Sequence, residues 1–505
     1  MLALTVVEPQ SSGIGGGGFL VLDPGDGALT TYDGRETAPA AATPQWFMTD
    51  GKEMARSEAV PGGRSTGVPG NIAMMALAHR EHGALPWADL FASAIALARD
   101  GFVVTERLNR SLAERKTTGA FSPSAQALYY GADGEALPVG TTIRNPALAA
   151  FLARLAAEGP AAFYAGANGD AIVAAVRDAP SNPAPMTMAD LAAYRAIERA
   201  PVCGIYRLHR ICGMGPPSSG ATTVFAILKQ LEGFDLAGMG ANDPTSWHLL
   251  AESMRLAFAD REVWLGDADF VAVPVSGLVD GTYLAERARL ISADAAMADA
   301  PSGSPPGATG PFALHAGLAE QGTSHFAIAD GAGGVASLTS TVEGAFGSGL
   351  FVNGYYLNNE LTDFSFAAEV DGKPVANRVE AGKRPRSSMS PTIVYDPDGR
   401  FLMAIGAAGG PTIIAQVAKS IVAAIDWDLP VADAIAAPNL YAPGDNLYVE
   451  QGTSLEAMMP ALKALGHENI RPIPATVFKA NAVARQGGRL VGAADPRSEG
   501  GTARP

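Results

Sequence analysis

From residue 322 the sequence reads Gly322-Thr323-Ser324-His325-Phe326-Ala327-Ile328-Ala329-Asp330-Gly331-Ala332-Gly333-Gly334-Val335-Ala336-Ser337-Leu338-Thr339-Ser340-Thr341-Val342-Glu343. Phe326 and Ile328 alternate up to Asp330, the glycine-rich run that follows breaks the strand, and Val335 to Thr341 leads away. That pattern is a β-hairpin. Pairing Asp330 with Val335 sets Ser324 opposite Thr341, and a slip of one residue brings Thr323 beside Thr341 and near Glu343. Upstream, Pro301 to Gly322 contains Ser302-Gly303-Ser304-Pro305-Pro306-Gly307, which sustains neither helix nor strand and reads as an exposed linker. A linker thus runs directly into a threonine at the head of a strand. An internal threonine hydroxyl is a weak nucleophile, whereas a threonine with a free α-amine carries its own general base. The Gly322-Thr323 junction is therefore either a plain loop-to-strand transition or the cut site of a proenzyme.

The whole chain is globular in composition: 48% of its 505 residues are apolar, 17% are charged, and its 58 glycines call for many tight turns. A formal charge of −15 argues against nucleic acid or an anionic membrane surface as partner. It also means that an anionic substrate needs a local cation. No apolar run is long enough to span a bilayer, and no signal peptide is visible. The two cysteines, Cys203 and Cys212, flank a hairpin whose turn is Arg207-Leu208, which sets them opposite each other. Two buried thiols are the expected state, with a cross-strand bridge as the alternative.

Elsewhere, Leu2 to Val7 and Phe19 to Leu22 read as strands around Gly15-Gly16-Gly17-Gly18. Apolar residues spaced three and four apart mark helices within 73–78, 90–97, 148–155 and 171–176. Ile393 to Tyr395 and Phe401 to Ile405 read as a strand pair that runs into Gly409-Gly410-Pro411 and a helix from Thr412 to Ile425.

Several strings then act together. Thr323-Ser324-His325, Ser340-Thr341, Phe346-Gly347-Ser348-Gly349, Leu357-Asn358-Asn359-Glu360 with Asp363-Phe364-Ser365, and Lys383 to Thr392 resemble the γ-glutamyltransferase (glutathione hydrolase) family in order and near its spacings. Arg35-Glu36-Thr37-Ala38-Pro39, Val68-Pro69-Gly70, Pro216-Pro217-Ser218-Ser219-Gly220 and Gly492 to Arg497 extend the resemblance over almost the whole chain. It implies an α/β (α+β) fold, the four-layer αββα sandwich of N-terminal-nucleophile hydrolases. It also implies autocleavage between Gly322 and Thr323 into a large segment, 1–322, and a small one, 323–505, that together form one domain. Relative to the family, the opening strand and helix are expected to be missing. The resemblance implies a periplasmic or secreted enzyme if the true start lies upstream, and a cytoplasmic one otherwise.

Mapped residue by residue, the resemblance makes Thr323 the nucleophile, Thr341 the threonine that orients and polarises it, and Gly409 with Gly410 the oxyanion hole. The last assignment has its own physical reading, since Pro411 opens a helix whose free N–H groups favour negative charge. Arg35, Ser387 and Ser388 map to the pocket for the donor's α-carboxylate, and Glu360 and Asp363 to the residues that hold its α-ammonium. Glu343 stands where many members have asparagine; here the chain resembles a Bacillus-like subset with Glu, which adds a third carboxylate near that ammonium. The stretch between Asp363 and Ser387 is shorter than in the enteric type, where part of it forms a lid. The implied donors are glutathione and other γ-glutamyl compounds, and the acceptors are water, amino acids or dipeptides. No cofactor or metal is expected.

His325 reads as a structural partner of the nucleophile. Gly63-Arg64-Ser65-Thr66-Gly67 fits a serine-hydrolase elbow in letters, but Pro61-Gly62 precede it where a strand is needed. Two alternatives stand beside the main reading. One is a glutaryl or cephalosporin-type acylase of the same family, disfavoured because a glutaryl group has no amine for Glu343, Glu360 and Asp363. The other is an uncleaved, non-catalytic binding protein.

Overall fold

The computed structural model describes residues 1–310, 312–313 and 322–504. Eleven strands build its two central sheets. They are β1 (Gly17–Asp23), β2 (Thr30–Asp33), β3 (Ile197–Arg199), β4 (Val202–Tyr206), β5 (His209–Gly213) and β6 (Gly322–Ala329). Then follow β7 (Val335–Glu343), β8 (Thr392–Tyr395), β9 (Phe401–Ala408), β10 (Lys479–Gln486) and β11 (Arg489–Ala494). The first sheet has the order β6-β7-β1-β2-β3 and the second β11-β10-β9-β8-β5-β4. Every neighbouring pair in the first sheet is antiparallel, as is every pair in the second.

The sheets stack face to face. The Ser337 hydroxyl on β7 donates to the Ile405 carbonyl on β9 at 3.3 Å, and Tyr395 on β8 donates to Asp23 on β1 at 2.5 Å. The His325 ring fills the space that a Cβ at Gly406 would need, so glycine there sets how closely β6 approaches β9. Helix α1 (Asn71–His82) covers the outer face of the first sheet; α2 (Gly220–Leu231) and α4 (Thr412–Ile425) cover that of the second, with α3 (Pro244–Trp264) packed on α2. Phe19, Ile393, Ile405, Ile413, Val417 and Phe258 belong to the core that joins these layers. α4 is apolar on nearly every face because it is buried between the sheet and its neighbours. The result is the four-layer αββα order expected from the sequence.

Both sheets interleave strands from the two sides of the Gly322–Thr323 junction. β1, β2 and β3 precede it and share a sheet with β6 and β7; β4 and β5 share the other with β8 to β11. Of the linker placed at 301–322, residues 301–310 and 312–313 carry no helix or strand, while 311 and 314–321 lie outside the described residues.

Three expectations are corrected. Ala329, not Asp330, pairs with Val335, because Asp330 joins the turn through its N–H bond to Gly334 O; Thr323 consequently pairs with Thr341. Leu2–Val7 is a helix, packed against the helix Ala92–Asp100, so tertiary contact overrides its β-branched composition. Cys203 and Cys212 are joined in a disulfide. Their hairpin has the anticipated register and its turn residues Arg207 and Leu208 have φ of +48° and +68°, which juxtaposes the two cysteines across the ladder.

Candidate active site

The hairpin β6–β7 delivers the first cluster. Between Gly322 and Thr323 the ladder slips: Gly322 faces Glu343 while Thr323 faces Thr341, so Val342 is an extra residue on β7. Glu343 takes φ +75° at this bulge. The bend turns the Gly322 carbonyl onto two hydroxyls. Thr341 Oγ1 donates to Gly322 O at 2.6 Å, and Thr323 Oγ1 lies 2.7 Å from that oxygen and 3.2 Å from Thr341 Oγ1. The Glu343 N–H donates to Thr341 Oγ1 at 2.8 Å, which fixes the rotamer of that hydroxyl. All of these side chains are fully buried.

His325 Nδ1 lies 2.9 Å from Thr339 Oγ1, and burial lowers its pKa to about 3, so the imidazole is neutral at physiological pH. That suits the structural role read from the sequence. Ser324 donates to Glu8, which also receives Lys479.

Gly409 and Gly410 form the exit of β9. Their φ values are +120° and +60°, and a Cβ on Gly409 would collide with Val477 O, so the turn requires glycine. Thr412 ties down the Gly409 carbonyl and Gln416 that of Ala408. The N–H groups of Gly409 and Gly410 have no acceptor among the described residues. They sit three and four residues beyond the glycine against which His325 packs.

The second cluster is ionic. Arg35 is fully buried; its Nε donates to Pro385 O at 3.0 Å, one terminal nitrogen donates to Arg386 O at 3.1 Å, and the guanidinium pairs with both Glu360 and Asp363. Tyr194 donates to the Arg35 carbonyl at 2.8 Å. The sequence reading set this arginine and the two acids at opposite ends of a ligand's head, but here they bind each other. Pairing offsets the cost of burying a guanidinium and carboxylates, so they converge. Ser387 and Ser388 lie alongside: Ser387 Oγ receives the Met389 N–H at 3.1 Å, and Ser388 Oγ receives Arg261 at 2.7 Å.

Two residues without a role in the sequence reading belong to this cluster. Glu36 is fully buried, 4.0 Å from Arg35, and neither of its oxygens, nor Glu360 Oε2, receives a donor among the described residues. Burial raises the carboxyl pKa of both Glu36 and Glu360, so the pair retains a proton at neutral pH. Arg56, on the short helix Arg56–Ala59, pairs with Glu343. Asn359 donates to the other Glu343 oxygen, and its Oδ1 accepts from the Gly344 N–H at 2.8 Å. Asn359 adjoins Glu360, so Glu343 bridges the hydroxyl cluster and the ionic one. Nothing local marks Arg56 in the sequence; its partner is nearly three hundred residues away.

A cavity of about 420 Å³ opens beside this bridge, bordered by Arg56, Glu343, Asn359, Thr118 and Gly344. The apparent serine elbow is a 3-10 turn, Gly63–Ser65, whose buried Ser65 hydroxyl donates to Val60 O at 2.5 Å. His248, Glu252 and His467 come close enough to hold a metal ion. However, His248 spends its nitrogens on Ser292 O and His467, and Glu252 receives Arg255 and the Met297 N–H.

A family model described as Gamma-glutamyltranspeptidase matches residues 1–504. The glutathione hydrolase proenzyme of Escherichia coli (strain K12) is 35% identical over 509 residues, covering 98% of this chain and 85% of that protein. The acylase ACY 1 proenzyme of Pseudomonas sp. (strain SE83) is 33% identical over 513 residues, covering 99% and 87%. A solved cephalosporin acylase from Bacillus halodurans superposes with a TM-score of 0.86 at 25% identity, over 99% of this chain and 89% of that one. Matched from end to end and carrying the threonine hairpin, the chain belongs to the gamma-glutamyltranspeptidase family of enzymes.

Proposed function

We propose that this chain is a self-cleaving precursor that becomes a γ-glutamyl hydrolase and transferase. The observation that carries the reading is the Gly322 carbonyl held by the Thr341 hydroxyl with the Thr323 hydroxyl alongside. Thr341 polarises that carbonyl. Thr323 Oγ attacks its carbon, the C–N bond to Thr323 breaks, and the acyl group moves from nitrogen to oxygen. Water then hydrolyses the ester, leaving a Gly322 carboxylate and a free Thr323 α-amine. Interleaved strands keep segments 1–322 and 323–505 together.

In the mature enzyme the freed amine takes the Thr323 hydroxyl proton as Oγ attacks the γ-carbonyl of a donor such as glutathione. The N–H groups of Gly409 and Gly410 stabilise the oxyanion. The leaving amine departs with that proton, and water or the amine of an amino acid or dipeptide resolves the γ-glutamyl ester. Arg35, Ser387 and Ser388 receive the donor's α-carboxylate, with Glu360 and Asp363 on the ammonium side and Glu343 beside them.

Denaturing mass analysis together with turnover of a γ-glutamyl anilide tests the proposal. Two fragments, the smaller beginning at Thr323, and release of the aniline are expected. A single intact chain, inert towards the anilide, overturns it.

A further inference from the structure

Glu343, Glu360 and Asp363 were read as holders of a substrate ammonium, yet in the structure each has an arginine partner. Arg35 takes Glu360 and Asp363, and Arg56 takes Glu343. Glu343 is the more telling case. It is fully buried, its second oxygen is bonded by Asn359, and its backbone N–H holds Thr341. One carboxylate oxygen is thus in ion-pair contact with Arg56 and the other is bonded by Asn359. An incoming ammonium gains only the difference between itself and the guanidinium it displaces, and separating a buried pair is costly. A donor without an ammonium forgoes only that difference.

Arg56 also has room to act. Its side chain is 20% exposed against 0% for Glu343, and it borders the cavity of about 420 Å³ at the bridge between the two clusters. It also donates a 3.3 Å bond to Thr362 O. Arg56 thus holds Glu343 from outside without sealing the cavity.

We infer that Arg56 is a positioning residue that sets acyl-group specificity. By neutralising Glu343 it lowers the premium on the donor's α-ammonium, so that amine-free dicarboxylic acyl groups of glutaryl type are turned over beside γ-glutamyl ones. The inference rests on the acyl-transfer reading of the site and deepens it.

The test compares kcat/KM for γ-glutamyl and glutaryl p-nitroanilides in the matured enzyme. Wild type is expected to release nitroaniline from both, and Arg56→Gln to raise the γ-glutamyl-to-glutaryl ratio by about tenfold or more, through a lower KM for the γ-glutamyl donor, as a newly unpaired carboxylate favours the ammonium. Arg56→Lys keeps a cation on Glu343 and is expected to keep the wild-type ratio. The double variant Arg56→Gln/Glu343→Gln removes both charges and is expected to return the ratio to within about threefold of wild type, where the two already cancel. It leaves neither charge unpaired, so it decides the matter even if Arg56→Gln alone does not mature. An unchanged ratio in mature Arg56→Gln, or a collapse of γ-glutamyl preference in the double variant, overturns the inference while leaving acyl transfer intact. A mature wild type inert towards both anilides overturns the acyl-transfer reading and this inference with it.

Discussion

The two halves of the candidate active site are built on opposite principles. Around Gly322 the groups are neutral: hydroxyls, a carbonyl and an amide N–H, each satisfied by its neighbour over a few residues of one hairpin. Around Arg35 the groups are ionisable, buried or nearly so, and gathered from positions 35, 36, 360 and 363. The first arrangement keeps its geometry whatever the protonation state of the solvent. The second exists only while its charges cancel, and any ligand must compete with partners already in place. Reactivity and recognition therefore depend on different variables, and substitutions separate them.

The largest effect is expected at the neutral end. Thr323→Ala removes the hydroxyl that the proposed reaction uses against the Gly322 carbonyl, so both cleavage and turnover should vanish while the fold persists. Cleavage at Gly322 persisting in that variant, read by mass analysis, would show that the hairpin does not process itself. Thr341→Val preserves shape and deletes the donor on the carbonyl; loss of one such donor typically slows a reaction about 10²- to 10³-fold. The maturation half-time measures it, and a half-time close to wild type would remove Thr341 from the chemistry.

At the charged end the penalty shifts towards stability. Arg35→Gln strands Glu360 and Asp363, and breaking a buried ionic cluster costs about 3–5 kcal/mol. Urea unfolding should show that loss, and KM for the anilide should rise. An Arg35→Gln protein as stable as wild type would mean that the acids are not held by this guanidinium.

The smallest effect is a change of slope. Glu36 is raised by burial from 4.5 to about 8. The folded protein therefore keeps a proton that the unfolded chain releases, and the associated stabilisation is complete below about pH 4.5 and lost as pH rises to about 8. Glu36→Gln cannot lose that proton. The melting temperature of wild type relative to this variant should thus fall between pH 5 and pH 8. Lys419, lowered by burial to about 7, acts in the opposite sense at higher pH, but it is common to both proteins and cancels in the difference. Parallel melting profiles would place the proton elsewhere.

The same contrast explains what the sequence revealed. Alternation and a glycine-rich turn are local signals, so the hairpin was legible and Thr341 could be placed beside Thr323. The register was off by one because Asp330 lies within the turn, which spacing does not show. Helix Thr412–Ile425 was read to the residue from its apolar content and the preceding Gly-Gly-Pro. Leu2–Val7 reads as a strand because its five apolar residues and Thr5, the last three of the six β-branched, carry no period of their own. The ionic cluster was legible only as unpaired members. Resemblance supplied Arg35, Glu360 and Asp363, but that they bind each other, that Glu36 faces Glu360 and that Arg56 reaches Glu343 are long-range facts. The two cysteines were placed opposite each other correctly, yet composition weighed against the bridge that the structure contains.

β7 has β6 on one side and β1 on the other, one from each side of the Gly322–Thr323 bond. The proposed cleavage of that bond leaves the hydrogen-bonded sheet in place but alters the reaction by which it could re-form. Before the cut, the chain refolds as a single molecule at a rate independent of concentration. Afterwards two pieces must find each other, so recovery becomes second order and dilution favours the separated state. Maturation thus changes the meaning of stability, from an equilibrium the molecule can revisit to a lifetime it spends once.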